Sequence, residues 1–330
     1  MVDYRLIRKF FNPGAMSSRT VDLCRLLLSR AGRRYPMFVQ FLMTARCNLD
    51  CAYCEVPPFK YEEMSRSEVM EMLDELCRAG MRKITFSGGE PLVREDLGDC
   101  VRFVRKRGVF ANIITNGILL PMRLDDLKGI DLIVVSLDGP KECHDQVRGK
   151  GSFDGALKAL ELCREKGIPF MTSTVISKTN IDRLDFVLDL TRRFGTTAIF
   201  QPIELGHAET LERSAGIILG ENELRDVYKF LLERKKSGDK ISYPGRLLKT
   251  FIDGRRVSQC RWAGRLFCSI LPDGRVLPCN LLLADNRQWK NGRSAGFVRA
   301  MEQMPPFQCG GCHAGYSELD SLLSFRLWDL

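Results

Sequence analysis

The chain has 330 residues, 45% hydrophobic and 28% charged, with a formal net charge of +9. These proportions suit a globular enzyme and exclude a low-complexity chain; no apolar run is long enough to span a bilayer and no signal peptide is evident, so the chain reads as cytoplasmic. Thirteen cysteines are many for that compartment, and in so long a chain they argue for metal ligation over a secreted disulfide scaffold.

Residues 1–35 read as a basic helical segment. Arg5, Arg8, Lys9, Arg19, Arg25, Arg30, Arg33 and Arg34 are interleaved there with Leu6, Ile7, Phe10, Phe11, Leu23, Leu26, Leu27 and Leu28. A helix packed across the main fold with its basic face in water is the favoured placement. Peripheral contact with an anionic membrane surface, or with an acidic substrate, is the other. No nucleic-acid partner is expected. Cys24, Cys77, Cys100 and Cys163 stand singly in helix-like patterns and read as small buried apolar residues.

From Pro36 onward, short apolar runs alternate with amphipathic stretches. Strands are predicted at 38–43, 83–87, 110–115, 132–137, 170–175 and 198–202. Helices are predicted at 67–79, 97–107, 153–166 and 184–194, with a shorter one at 123–128. This alternation implies right-handed crossovers and a parallel sheet. The expected fold class is α/β, a partial (β/α)6 TIM-like barrel with a small C-terminal cysteine-rich auxiliary domain. The expected divisions are 1–35 for the basic segment, 36–206 for the barrel, 207–259 for a linker with a charged helix at 221–236, and 260–330 for the auxiliary domain. Ligands in such sheets sit at the C-terminal ends of the strands.

Directly after the first strand comes Thr44-Ala45-Arg46-Cys47-Asn48-Leu49-Asp50-Cys51-Ala52-Tyr53-Cys54. Three thiolates spaced Cys-x3-Cys-x2-Cys can bind three irons of a 4Fe–4S cube, leaving the fourth iron open to a chelating ligand. Zinc is the competing metal, but its sites more often use paired Cys-x2-Cys knuckles. Further along, Ser87-Gly88-Gly89-Glu90-Pro91 ends the second strand and Thr115-Asn116-Gly117 the third. Ser136-Leu137-Asp138-Gly139 ends the fourth, followed by His144, Asp145, Arg148 and Gly149. Two glycines permit close backbone approach to a ligand, and a carboxylate such as Glu90 accepts hydrogen bonds from an ammonium group.

In these motifs the sequence resembles the radical S-adenosylmethionine (SAM) superfamily over most of its length. The resemblance implies that Cys47, Cys51 and Cys54 hold a cluster whose open iron binds SAM. One electron then cleaves SAM to methionine and a 5′-deoxyadenosyl radical, which abstracts hydrogen from a substrate. It implies SAM contacts from Tyr53 near the adenine, Gly88, Gly89, Glu90 and Pro91 around the methionyl amine, and Asn116. It adds Ser136 at the ribose, Arg148 at the carboxylate, and Ser173 on the fifth strand. Each could instead be a turn, cap or packing residue, and His144 alone reads as structural.

The tail holds Cys260, Cys268, then Pro272-Asp273-Gly274 between apolar runs, Cys279, and Cys309-Gly-Gly-Cys312. Pro-Asp-Gly predicts a hairpin. The pattern resembles the twitch and SPASM auxiliary-cluster domains of one radical SAM branch, the shorter twitch form fitting better. Cys260, Cys279, Cys309 and Cys312 would then ligate an auxiliary 4Fe–4S cluster; zinc is the alternative, and Cys268 reads as buried.

The expected activity is oxidation or rearrangement of a biosynthetic intermediate, with the auxiliary cluster accepting an electron. Glu204 is the candidate base, and Gln201 and His207 are candidate lining residues. The alternatives are a ribosomal-peptide maturase and, from another class, a non-catalytic iron–sulfur sensor. The stretch before the first strand is too short for a winged-helix leader-binding domain, which mildly favours a small molecule or lipid-like substrate, or a separately encoded leader-binding partner. A reducing partner such as flavodoxin or ferredoxin is expected.

Overall fold

The structure, a computed structural model, describes residues 16–54, 56, 61–203, 212–254, 262–282 and 289–307. Six strands run in parallel in chain order: β1 (Phe38–Thr44), β2 (Lys83–Gly88), β3 (Phe110–Thr115), β4 (Leu132–Ser136), β5 (Phe170–Ile176) and β6 (Thr197–Pro202). Each pairs with the next, as right-handed βα units require. The result is an α/β fold with a mostly parallel sheet, consistent with a TIM-like partial barrel. The strands observed agree with those expected to within a residue at either end.

The helices are α1 (Met16–Arg30), α2 (Arg66–Ala79), α3 (Leu97–Lys106), α4 (Lys141–Arg148), α5 (Ser152–Glu165), α6 (Leu184–Phe194), α7 (Glu221–Lys236) and α8 (Gly245–Ile252). Their bounds have local causes. Ser65 and Glu68 form a reciprocal capping box that starts α2, and Gly80, with φ of 98°, ends it in the left-handed region. Between α3 and β4 the chain makes only a helical turn at Leu120–Arg123 and a tighter one at Leu124–Leu127.

Side chains alternate across a strand, so one face of the sheet is packed and the other looks inward. Val39, Phe41 and Met43 of β1, Ile84 and Phe86 of β2, and Ile113, Ile133 and Val135 beyond them share one core with α2, α3 and α5. The inner face carries Phe110, Leu132 and Val134, with Ile114, Met171 and Ile199 packed against them. Polar side chains continue this inner face: Gln40 donates to Ser87 at 3.1 Å and Thr85 to Asn112 at 2.9 Å.

Both edges of the six-strand sheet are covered. On the β6 side, the Lys240 carbonyl accepts from the Ala198 amide and the Ser242 amide donates to the Ala198 carbonyl, at 2.9 Å each. There α7 and α8 bury Tyr228, Leu231, Tyr243 and Leu248 against Val187 and Phe200. On the β1 side, β7 (Phe267–Ile270) adds in parallel, with Phe38 opposite Phe267 and Phe41 opposite Ile270. It turns through Pro272-Asp273-Gly274 into antiparallel β8 (Val276–Leu277), the hairpin read from those residues. Gly274 has φ of 88°, and a Cβ there would meet the Arg293 side chain at 2.8 Å.

The hairpin therefore continues the main sheet. The short helix α9 (Phe297–Glu302) joins the same core through Phe297, Ala300 and Met301. Glu75 of α2 accepts from the amides of Phe297 and Val298 at 3.1 and 2.9 Å. Cys268 is buried in this core, on the packed face of β7, as expected of it. Cys100 and Cys163 are buried too and Cys77 is partly so, whereas Cys24 is exposed, against expectation. It lies on the outward face of α1, because that helix packs inward through Asp22, Leu26 and Ser29.

Candidate active site

The strand ends meet where the expected motifs lie. At the end of β1 the register against β2 shifts between Leu42 and Thr44, and such bulges re-aim the chain that follows. That chain is the cysteine loop. The Gly89 amide donates to the Thr44 carbonyl at 2.7 Å and the Glu90 amide to the Arg46 carbonyl at 2.9 Å. A Cβ at Gly88 would stand 2.4 Å from the Thr44 carbonyl oxygen, and one at Gly89 would stand 2.2 Å from that of Arg46. The two glycines thus have a job the sequence did not reveal: they let the cysteine loop lie flat on the end of β2.

Glu90 is 1% exposed. One carboxylate oxygen accepts from Thr115 Oγ1 at 2.8 Å and from the Leu92 amide at 3.1 Å; the other accepts from the Asn116 amide at 2.8 Å. Of roughly four acceptor positions on a carboxylate, three are filled from within the chain. Burial pushes the Glu90 carboxyl up to about 7, against the opposing pull of its three hydrogen bonds. Asn116 reaches back to the cysteine loop, its Nδ2 donating to Asn48 Oδ1 at 2.8 Å. Loop, β2 end and β3 end are thereby joined in one hydrogen-bonded unit.

A second unit stands at the ends of β4 and β5. Asp138 is fully buried. Its carboxylate accepts from Arg148 Nε at 2.5 Å, Arg148 Nη2 at 3.2 Å, the Tyr53 hydroxyl at 2.5 Å and the Val175 amide at 2.8 Å. Burial pushes this carboxyl up, but the Arg148 charge and hydrogen bonds outweigh it and hold Asp138 below the ordinary carboxylate value. The Arg148 guanidinium lies 5.5 Å from the Tyr53 ring centroid. Tyr53 and Arg148, expected at SAM, thus share a partner inside the chain. His144 Nδ1 accepts from the Asp138 amide at 3.0 Å, and burial lowers its pKa to about 4, which makes it the structural histidine expected. Ser136 and Ser173 are register partners on β4 and β5.

Cys47, Cys51 and Cys54 follow β1 on this face. Burial raises the Cys51 thiol to about 12 and also raises Cys47; Cys54 and Cys47 push Cys51 further up, and Glu90 and Cys54 do the same to Cys47. The Leu49 amide donates to Cys47 Sγ at 3.4 Å. Among the described residues, no three His, Cys, Asp or Glu side chains converge on one point as a single-ion site would have them. The fit to an iron–sulfur cluster lies in donor chemistry: three sulfurs on one loop, partly shielded from water, which metal binding would convert to thiolates. Arg213 flanks the loop from beyond β6, its guanidinium donating to Asp50 at 2.6 Å and to the Cys51 carbonyl at 3.4 Å.

Sequence reasoning missed Asp138, Asn48, Thr115 and Arg213 as contributors. Asp138 had a signal, its place in a strand-end Ser-x-Asp-Gly ten residues before an arginine. Arg213 had none, since only the fold brings it to a loop about 160 residues away. Of the tail cysteines expected at an auxiliary cluster, Cys279 is described, with Asn280 Oδ1 3.5 Å from its Sγ. Cys260, Cys309 and Cys312 lie outside the described residues, as do Glu204 and His207. Gln201 is exposed on β6.

Residues 41–191 match the family described as the Radical SAM superfamily. The chain is 33% identical over 215 residues to Fe-coproporphyrin III synthase of Methanosarcina barkeri, an alignment covering 62% of this chain and 53% of that one. It thus spans about half the length of that relative. It is 27% identical over 315 residues to AdoMet-dependent heme synthase of the same organism, covering 84% and 88%. To PqqA peptide cyclase of Gluconobacter oxydans it is 28% identical over 260 residues, covering 74% and 70%. Among solved structures, Streptococcus suis SuiB bound to S-adenosylmethionine superposes with a TM-score of 0.70 at 15% identity, covering 84% of this chain and 68% of that one. At that identity the likeness is one of fold. Residues 41–191 thus match a family whose members use SAM and a 4Fe–4S cluster.

Proposed function

We propose that the chain is a radical SAM enzyme that binds its cofactors on the C-terminal side of β1–β5 and oxidises or rearranges a biosynthetic intermediate. The observation that carries this reading is the Glu90 carboxylate, buried against the cysteine loop with one acceptor position left. In this reading Cys47, Cys51 and Cys54 hold the cluster and Glu90 accepts from the SAM ammonium. Gly88, Gly89 and Pro91 shape the backbone around that contact. Asn116 ties it to the loop through Asn48, Ser136 and Ser173 face the ribose, and Tyr53 lies beside the adenine. Arg148 has its Nε and Nη2 on Asp138 and acts first by positioning Tyr53, with the SAM carboxylate as a second partner. When bound, the cofactors supply a 5′-deoxyadenosyl radical that abstracts hydrogen.

The tail cysteines Cys260, Cys279, Cys309 and Cys312 hold an auxiliary cluster in this reading, which would take up the substrate's electron, and Glu204 would take up a proton. A flavodoxin or ferredoxin in the cytoplasm supplies the starting electron. The substrate class best supported is an iron tetrapyrrole. Two relatives are named for making such compounds, and the chain spans 88% of the second. A peptide is the second reading, favoured by the similarity to PqqA peptide cyclase over 74% of this chain.

Two measurements test these statements. Replacing Cys47, Cys51 and Cys54 together by Ala should abolish 5′-deoxyadenosine formation while leaving about half the iron if both clusters are cubes. Persisting SAM cleavage would refute the site. Deuterated iron coproporphyrin III, incubated with the reduced protein, should pass deuterium to 5′-deoxyadenosine. Transfer from a peptide and none from the porphyrin would move the assignment to the second reading.

A further inference from the structure

The end of the sheet remote from the cysteine loop is covered by α1. Asp22 of α1 binds Arg82, the residue before β2, through Nε at 2.8 and 3.0 Å and Nη2 at 2.9 Å. Leu26 packs on Met37, Trp262 and Leu266, with Tyr35 and Phe38, all near the start of β1 and β7. The helix therefore lies across the N-terminal ends of the strands, roughly 20 Å from the cysteine loop by the rise of a six- or seven-residue strand.

Its inward face is Asp22, Leu26 and Ser29; its outward face is Val21, Cys24, Leu27 and Leu28, the same helical spacing turned through half a revolution. Val21, Leu27 and Leu28 are 46%, 52% and 46% exposed, three of the four large exposed hydrophobic side chains recorded among the described residues. The sequence of this segment is one-sided in charge. The first 34 residues hold eight basic and two acidic residues, six of the chain's nine net positive charges. One of those two acids is Asp22, buried and engaged by Arg25 and Arg82. Arg33, just past the helix, is exposed.

An apolar ridge on a segment of such basic composition, with Arg33 exposed beside it, matches the boundary of an anionic bilayer, where acyl chains accept leucines and phosphates accept guanidinium groups. We propose that this end of the molecule docks on an anionic phospholipid surface through the outward face of α1. The cysteine loop is then held on the far side, open to the aqueous phase. A second copy of the chain could use the apolar ridge alone, but two such basic segments would repel, which favours the lipid.

The test uses the full-length, iron-loaded protein in flotation assays, with vesicles of phosphatidylcholine alone and with ~30% phosphatidylglycerol. Binding is expected to the anionic vesicles and to fall on the order of tenfold when salt is raised to ~0.5 M. The Leu27→Ser/Leu28→Ser variant should lose at least about tenfold in partitioning, since two half-exposed leucines leave the acyl region, with SAM cleavage unchanged. Equal binding to both vesicle types, no binding to either, or a variant that partitions like the parent overturns the proposal. So does a wild-type dimer that the same double variant converts to monomer, which would assign the ridge to a second copy.

Discussion

Asp138→Asn tests how far the site depends on the buried pair beneath it. The native carboxylate takes four donors, two on each oxygen: Arg148 Nη2 and the Val175 amide on one, Arg148 Nε and the Tyr53 hydroxyl on the other. An amide has one acceptor atom, so in either orientation its NH2 faces two donors and Arg148 is left charged and unpaired in a buried setting. Breaking a buried pair in this way costs about 3–5 kcal/mol. With an unfolding entropy near ~2.1 cal/mol/K per residue, a chain of this size loses roughly 4–7 °C in Tm. Anaerobic scanning calorimetry measures that loss, and iron content and SAM cleavage should fall with it, because Tyr53 adjoins Cys54. The Asp138→Leu/Arg148→Met variant removes both charges and should recover most of the Tm without restoring SAM cleavage. The pH dependence has a defined sign. Asp138 sits below its unfolded value, so its stabilisation is present above about pH 4 and fades as the pH falls through the folded pKa. A Tm for Asp138→Asn within a degree or so of wild type, or a double variant no more stable than the single, would refute the reasoning.

Glu90→Gln should weaken SAM binding by roughly 10–100-fold, the worth of one charge-assisted hydrogen bond. Because Glu90 is held near 7, wild-type SAM affinity should rise with pH up to about 7 and level off, whereas the glutamine variant's should not follow that titration; parallel pH profiles would remove Glu90 from the site. Gly89→Ala places a methyl group 2.2 Å from the Arg46 carbonyl oxygen, so the cysteine loop must shift, and iron content measured after anaerobic reconstitution should drop sharply. A fully loaded Gly89→Ala protein would show that the loop does not rest on β2. Cys268→Ala should lower stability by about 1–2 kcal/mol, as for a small core truncation, and leave iron unchanged. Loss of iron in that variant would make Cys268 a ligand, despite its place in the core.

The six parallel strands and the longer helices between them were legible in the sequence, because their apolar patterns are local, whereas the short helices α4, α8 and α9 were not expected. The cysteine triplet and Gly88-Gly89-Glu90 were legible for a similar reason: ligand spacing and backbone freedom are written along a few consecutive positions. What those positions touch was not. Gly89 reads as space for a ligand, yet the atom pressing on it is the Arg46 carbonyl oxygen. Arg148 reads as a hand for a carboxylate from outside, yet it already holds Asp138.

From sequence alone came the alternation of elements, hence the parallel sheet, and the identity of the groups gathered at its C-terminal edge. Only the tertiary structure decided that β7 joins β1, that α1 presents Leu27 and Leu28 to the outside, and that Glu90 and Asp138 are buried beneath the two halves of the site. The reason is one of range. Propensity and spacing act over a few residues, whereas burial and hydrogen-bond pairing are set by residues tens to hundreds of positions away, which approach only when the chain has folded.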